Sequence, residues 1–201
     1  DVLSEISALG GQAIGKKLDQ AVLLGTDKPA SWVSPALFAA ATTAGQSLAV
    51  SGSTASKNDL VGRINQVSEL VAAAGYLPDT LVAGLALRFQ VANLRDANGQ
   101  PIFRDESFAG FRTYFNKNGA WNAASAAALV VDSSRVRIGV RQDITVKLLD
   151  QATVGSINLA ERDMVAIRMK ARFAYVLGDG ATAAGAAKTP VGLVTPAPSG
   201  S

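Results

Sequence analysis

Two pairs of carboxylates lie close enough in the chain to share a proton or a hard cation: Asp105 with Glu106, and Glu161 with Asp163. Such pairs do acid/base work or hold oxygen-loving metals when further ligands converge on them. Neither pair has another ligand at a telling spacing, and loop carboxylates are usually solvated. The chain has no histidine and no cysteine. That excludes Ser-His-Asp triads, H-E-x-x-H zinc sites, thiolate metal sites, disulfides and cysteine nucleophiles. Carboxylate or Ser/Lys chemistry survives the filter, but nothing in the spacing positions it. The stretch G-A-T-A-A-G-A-A-K-T, residues 180–189, imitates a phosphate loop. The real motif places lysine directly after the second glycine and opens a helix. Here Ala186 and Ala187 intervene, and Pro190 and Pro196 oppose a helix. No catalytic residue, metal or cofactor is expected, and the chain reads as a non-enzyme.

The one charged constellation is a basic ladder. From Val165 the chain alternates: Val165, Ile167, Met169, Ala171, Phe173 and Tyr175 fall on one side, with Arg168, Lys170 and Arg172 between them. Side chains on a strand alternate faces, so this pattern predicts a strand with one apolar and one cationic face. Arg135, Arg137 and Arg141 lie on a neighbouring alternating run. A single-sign row is either a solvated face or a surface that meets acidic groups of another subunit or a polyanion. No aromatic is interleaved on the basic side, which argues against a single-strand stacking platform. Residues 133–178 hold 8 Lys/Arg against 4 Asp/Glu, whereas residues 1–132 hold 10 against 11. This bias is modest beside that of a dedicated nucleic-acid binder.

The elements that must position these residues follow from periodicity. Residues 3–24 recur at three- and four-residue steps and predict a helix, stopped at Gly25. Its Gly10, Gly11 and Gly15 each cost about 1 kcal/mol relative to Ala, and they leave room for a close neighbour. Residues 26–57 read as turn-rich and polar, anchored by Trp32 and Pro35, with a surface loop over 47–57. Asn58 or Asp59 caps a second helix lined by Leu60, Ile64, Val67 and Val71 and stopped at Gly75. A short strand over 80–83 and a helix over 85–94 follow, the latter ending at the D-A-N-G turn. Short strands are expected over 111–115 and 127–131, then alternating runs over 136–141 and 144–149 ahead of the basic strand. The tail from Gly178 is Ala/Gly/Pro-rich and expected to be loosely held. Helix, then mixed elements, then strands makes the class α+β. Of the 201 residues, 48 % are apolar and only 17 % charged, which points to burial against other subunits. No apolar run approaches the ~18 residues of a membrane span.

Several passages, taken in order, resemble tailed-bacteriophage major capsid proteins with the Hong Kong 97-type fold. L-D-Q-A-V-L-L-G-T-D-K-P, residues 18–29, resembles the end of that family's spine helix. G-Y-L-P-D-T-L-V-A-G (75–84) and L-R-D-A-N-G-Q-P-I-F (94–103) resemble its axial domain. V-R-Q-D-I-T-V-K-L-L-D-Q-A (140–152) and A-E-R-D-M-V-A-I-R-M-K-A-R-F-A-Y-V-L (160–177) resemble its peripheral-domain strands. The resemblance implies a peripheral domain with a spine helix and long-stranded sheet, plus a mixed α/β axial domain, and the apolar face of the basic strand would pack on the spine helix through Val165, Ile167, Met169 and Phe173. Carried onto this chain, residues 1–30 and 134–176 would be peripheral, 31–133 axial, and 177–201 a tail returning to the axial domain. It implies a subunit that assembles with itself into hexamers and pentamers around packaged double-stranded DNA. Scaffolding or decoration proteins would be further partners, with no membrane involved. The location implied is the virion capsid, preceded by the host cytoplasm. The family's N-terminal arm and extended loop have no counterpart here, so the chain is expected to be the C-terminal portion of such a protein, and no crosslinking residue is assigned. The rival expectations are an encapsulin-like nanocompartment shell and a stand-alone polyanion-binding module.

Overall fold

The computed structural model describes residues 2–51, 59–95, 98–100, 110–178 and 188–197. In chain order the elements are α1 (Val2–Leu23), α2 (Leu37–Thr43), β1 (Ser47–Ala49), α3 (Leu60–Ala73), β2 (Thr80–Gly84), α4 (Leu85–Ala92), β3 (Arg112–Asn116), β4 (Ala128–Val131), β5 (Val136–Leu149), β6 (Thr153–Val154), β7 (Ile157–Asn158), β8 (Ala166–Leu177) and β9 (Val191–Thr195). The architecture is α+β, as the order of patterns predicts.

Five strands form one mixed sheet in the order β1-β9-β4-β2-β3. β4 runs antiparallel to β2 and β9, while β1–β9 and β2–β3 are parallel pairs. β4 reads A-L-V-V without alternation because both of its faces are covered. On one face Leu81, Ala83, Ala128, Val130 and Val194 pack under Ile64 and Val67 of α3. On the other, Leu129, Val131, Val191 and Leu193 pack with α2 and with Val22 and Leu23 at the end of α1. α3 begins where Asp59 accepts the Gly62 N–H at 2.8 Å, a cap worth about 1 kcal/mol. Both Gly25 and Gly75 take the left-handed conformation that ends a helix.

Two expectations fail here. The segment 26–57 contains α2 and β1, although it reads as turns. A short Ala-rich helix buried by tertiary contact carries no strong local signal. The tail is not loose throughout: Val191–Val194 are buried within the five-stranded sheet. Its V-G-L-V-T run is shorter than the window in which Gly and Pro dominate the composition.

The other unit is a long hairpin, β5 antiparallel to β8. The alternating runs 136–141 and 144–149 are one strand rather than two. Register shifts fall between Val140 and Gln142 and again between Gln142 and Thr145. Each adds one residue to β5, so the second bulge restores the facing that the first reverses. Trp32 and Pro35 do anchor their loop. Trp32 lies 5.7 Å from the Tyr175 ring, and the Tyr175 hydroxyl donates to the Pro35 carbonyl at 3.1 Å.

Candidate assembly surfaces

The register settles which cations share a face of the hairpin. Arg168 lies opposite Lys147, Lys170 opposite Thr145, Arg172 opposite Gln142, and Val176 opposite Arg137. Paired residues point to the same side of a sheet. The basic face therefore holds Arg137, Lys147, Arg168, Lys170 and Arg172. Lys147 is the member that strand-by-strand reading misses; its outward parity is visible in the sequence, but its partner is fixed only by the register. Among the described residues, the one salt bridge is between Lys17 and Asp27, at 2.5 Å. The ladder thus has no acidic partner within the described chain.

Arg135 and Arg141 lie elsewhere. Arg135 ends the short 3-10 turn before β5, with its guanidinium carbon 5.8 Å from the Tyr76 ring centroid. Arg141 falls in the first bulge, has no Cα partner on β8, and borders a cleft between hairpin and helix.

That cleft has a volume of about 850 Å³. Ala13, Ile14, Leu18 and Ala21 of α1 form one wall; Met169, Ala171 and Phe173 of β8 form the other. Lys17, Arg141 and Arg172 sit on its border. At Gly10 of α1 an added Cβ would lie 2.0 Å from Met169 Sδ on β8. The glycine that weakens the helix seats a methionine side chain. The expected packing of the apolar face on α1 is partial. Met169 and Phe173 face the helix, but Val165 is 59 % exposed, and Val140 on β5 is 60 % exposed. One helix is narrower than a two-stranded sheet, so Val140, Val146 and Leu148 of β5 stay exposed, while Ile144 lies beside Gly11 of α1.

The two units join at Asp132-Ser133-Ser134. Asp79 accepts both the Ser133 N–H at 2.8 Å and its hydroxyl at 2.6 Å. Asp132, buried, accepts from the Ser134 N–H and hydroxyl and from the Leu77 N–H. Burial pushes the Asp79 carboxyl upward, but the hydrogen bonds from Ser133 and Thr80 outweigh it and hold the group below its ordinary range.

No catalytic constellation emerges from the acidic pairs. Glu161 accepts from Asn158 at the far end of the hairpin, and the described residues contain no cluster of potential metal ligands. Asp105 and Glu106 lie outside the described residues, as do 180–187 of the phosphate-loop imitation. Lys188 of that imitation donates to the Ala44 carbonyl at 3.3 Å, a structural contact.

The described residues thus form a two-unit α+β chain with a long helix and an extended hairpin. The chain matches the phage capsid family over residues 1–184, and it belongs to that family. This is a family of structural proteins, not enzymes. A solved structure from Mycobacterium phage Bobi is 72 % identical, with a TM-score of 0.90 over 98 % of this chain. One from Mycobacterium phage Adephagia is 65 % identical, with a TM-score of 0.91 over 100 % of this chain. One from Microbacterium phage Oxtober96 is 35 % identical, with a TM-score of 0.87 over 98 %. The present chain spans 66 % of each of those chains, just under two thirds. No curated protein matches it.

Proposed function

We propose that this chain is a self-assembling structural subunit of an icosahedral phage capsid that encloses double-stranded DNA. The observation that carries the proposal is the match to the phage capsid family across residues 1–184, joined to the shared fold. The five-stranded unit is the axial domain that gathers around the capsomer axis. α1 and the hairpin form the peripheral domain that reaches neighbouring capsomers. Hexamers and pentamers are the expected oligomers, located in the virion after assembly in the host cytoplasm. Scaffolding and decoration proteins are further partners of such a shell.

The basic face is the surface offered to the packaged DNA. Arg137, Lys147, Arg168, Lys170 and Arg172 make a flat single-sign row without aromatics, suited to weak backbone contact without base reading. Electron microscopy and light scattering of the whole gene product test the central proposal. Closed shells or ring-shaped capsomers are expected; a strictly monomeric species in every buffer overturns it.

A further inference from the structure

Two places in the chain join an asparagine to a glycine: Asn98–Gly99 and Asn118–Gly119. A glycine has no side chain to shield its nitrogen, so that nitrogen can approach the preceding side-chain amide. The second pair stands in the loop after β3, and both of its residues are exposed. Asn118 Oδ1 accepts the Ala120 N–H at 3.0 Å. That bond folds the amide over the Gly119 peptide as an Asx turn and draws electron density from the amide carbon. Gly119 itself takes the left-handed conformation, at φ +73°.

Lys16 and Lys117 line a cleft of about 630 Å³ together with Asn118. Lys16 Nζ lies 3.5 Å from the place a Cβ on Gly119 would take. Cations beside the amide favour the negative charge that builds up when the Gly119 nitrogen attacks. Asp19 of α1 pulls the other way. Its Oδ2 accepts from Asn118 Nδ2 at 2.7 Å and from Asn116 Nδ2 at 3.3 Å. These two amides tie the long helix to the loop that follows β3, and the Asn118 bond is the shorter. A carboxylate in place of the Asn118 amide has no proton to donate to Asp19, so it would set two anions face to face.

We propose that Asn118 is a self-modification site, converted in the folded protein to aspartate and isoaspartate. The Gly119 nitrogen bonds to Asn118 Cγ, and the Cγ–Nδ2 bond breaks. The Gly119 proton leaves with the amine as ammonia, and a succinimide ring closes. Water then opens the ring. Opening at Cγ gives aspartate; opening at the Asn118 backbone carbonyl gives isoaspartate, with the chain routed through Cγ. The balance is one water in and one ammonia out, with no change of oxidation state. The new carboxylate turns from Asp19 to Lys16, and α1 loses the firmer of its two amide ties to the loop. Ammonia is lost to solvent, so the change runs one way. It stands whether or not the chain builds a shell.

Incubation of the whole gene product in mildly alkaline buffer tests it. Peptide mapping by mass spectrometry, with an isoaspartate assay, reads conversion at Asn118. A synthetic peptide spanning residues 112–124 is the unfolded reference, and circular dichroism checks that each variant is folded. Asn118 is expected to convert in the folded protein, and faster as pH rises, because the attacking nitrogen must lose its proton. Lys16→Gln should slow conversion by about two- to fivefold, the usual worth of an exposed charge contact. Asp19→Ala should speed it by freeing the amide. Asn118→Gln keeps an amide donor but would need a larger ring, so it should stay intact. Hydrogen exchange reads the tie: amides around Asp19 should exchange faster in Asn118→Asp and in the incubated protein than in Asn118→Gln. An Asn118 still intact in the folded protein after the peptide has converted overturns the proposal. So does a converted protein whose α1 amides are protected as before. A rate indifferent to Lys16→Gln takes the cation out of the mechanism and overturns it as well.

Discussion

The Gln46 side chain pairs with the backbone of Thr189 as a strand would: Nε2 donates to the Thr189 carbonyl and Oε1 accepts from the Thr189 N–H, both at 2.9 Å. Gln46 is fully buried, and 143 residues separate the two. The pair fastens the returning C-terminal segment just before β9 enters between β1 and β4.

Gln46→Ala is therefore expected to cost more than a surface polar substitution. It orphans one buried donor and one buried acceptor, each worth about 1–3 kcal/mol, so the loss should be on the order of 3 kcal/mol. Urea unfolding monitored by tryptophan fluorescence measures it. A midpoint equal to that of the unaltered protein would show that the Thr189 groups find other partners.

Gly192→Ala tests how tightly β9 is seated. A Cβ there would lie 2.2 Å from Val67 Cγ1, 3.0 Å from Val71 Cγ2 and 3.4 Å from the Val67 carbonyl oxygen. Both valines are fully buried on α3, so relief requires the helix to lift from the sheet. Overpacking of this kind costs about 1–3 kcal/mol, with the upper end expected here. At ~2–4 °C per kcal/mol for a chain of this size, calorimetry should show a Tm lower by about 5–10 °C.

The Asp79–Ser133 junction makes an acid-dependent contribution. The folded state holds the Asp79 carboxyl below its ordinary value of 3.8. Stability from that source is fully present above the unfolded value and is lost as pH falls through the folded one. Asp79→Asn should thus be less stable than the unaltered protein at about pH 6, and the gap should narrow toward about pH 3. Chemical unfolding at both pH values reads this, and a gap that widens on acidification would refute it.

Strong periodicity or a specific cap made elements legible. α1, the Asp59-capped α3 and the alternation of β5 and β8 carry their own signals over several turns or residue pairs. α2 and β1 do not, because L-F-A-A-A-T-T and S-L-A acquire their structure from what they are buried against. Composition hid β9, since five apolar-rich residues sit in a tail dominated by Ala, Gly and Pro. The ladder was visible as a row on β8, but its width was not. Cross-strand neighbours depend on register, and the two bulges in β5 move that register in ways no single-strand pattern reveals. The cleft, formed by residues 13–32 together with 141–174, was illegible for the same reason: it exists only once helix and hairpin are apposed.

The same register gives the DNA-facing reading its sharpest test. Five cations share the face, so weak binding of duplex DNA should show a log-log salt slope of about −4.5, at ~0.9 per phosphate neutralised. Replacing Arg168, Lys170 and Arg172 together by Gln should reduce that slope by about 3 and abolish measurable binding at physiological salt. Lys147→Gln should reduce it by about 1, although the sequence row alone omits Lys147. Arg135→Gln should leave the slope unchanged, because Arg135 stands over Tyr76 at the junction. Fluorescence anisotropy across a salt series separates these outcomes. Equal effects from Arg135 and Lys147 would mean that the DNA senses only net charge, and the face would lose its claim to be a surface. A null effect of the triple change, in a chain that still binds DNA, would move the contact off the hairpin altogether.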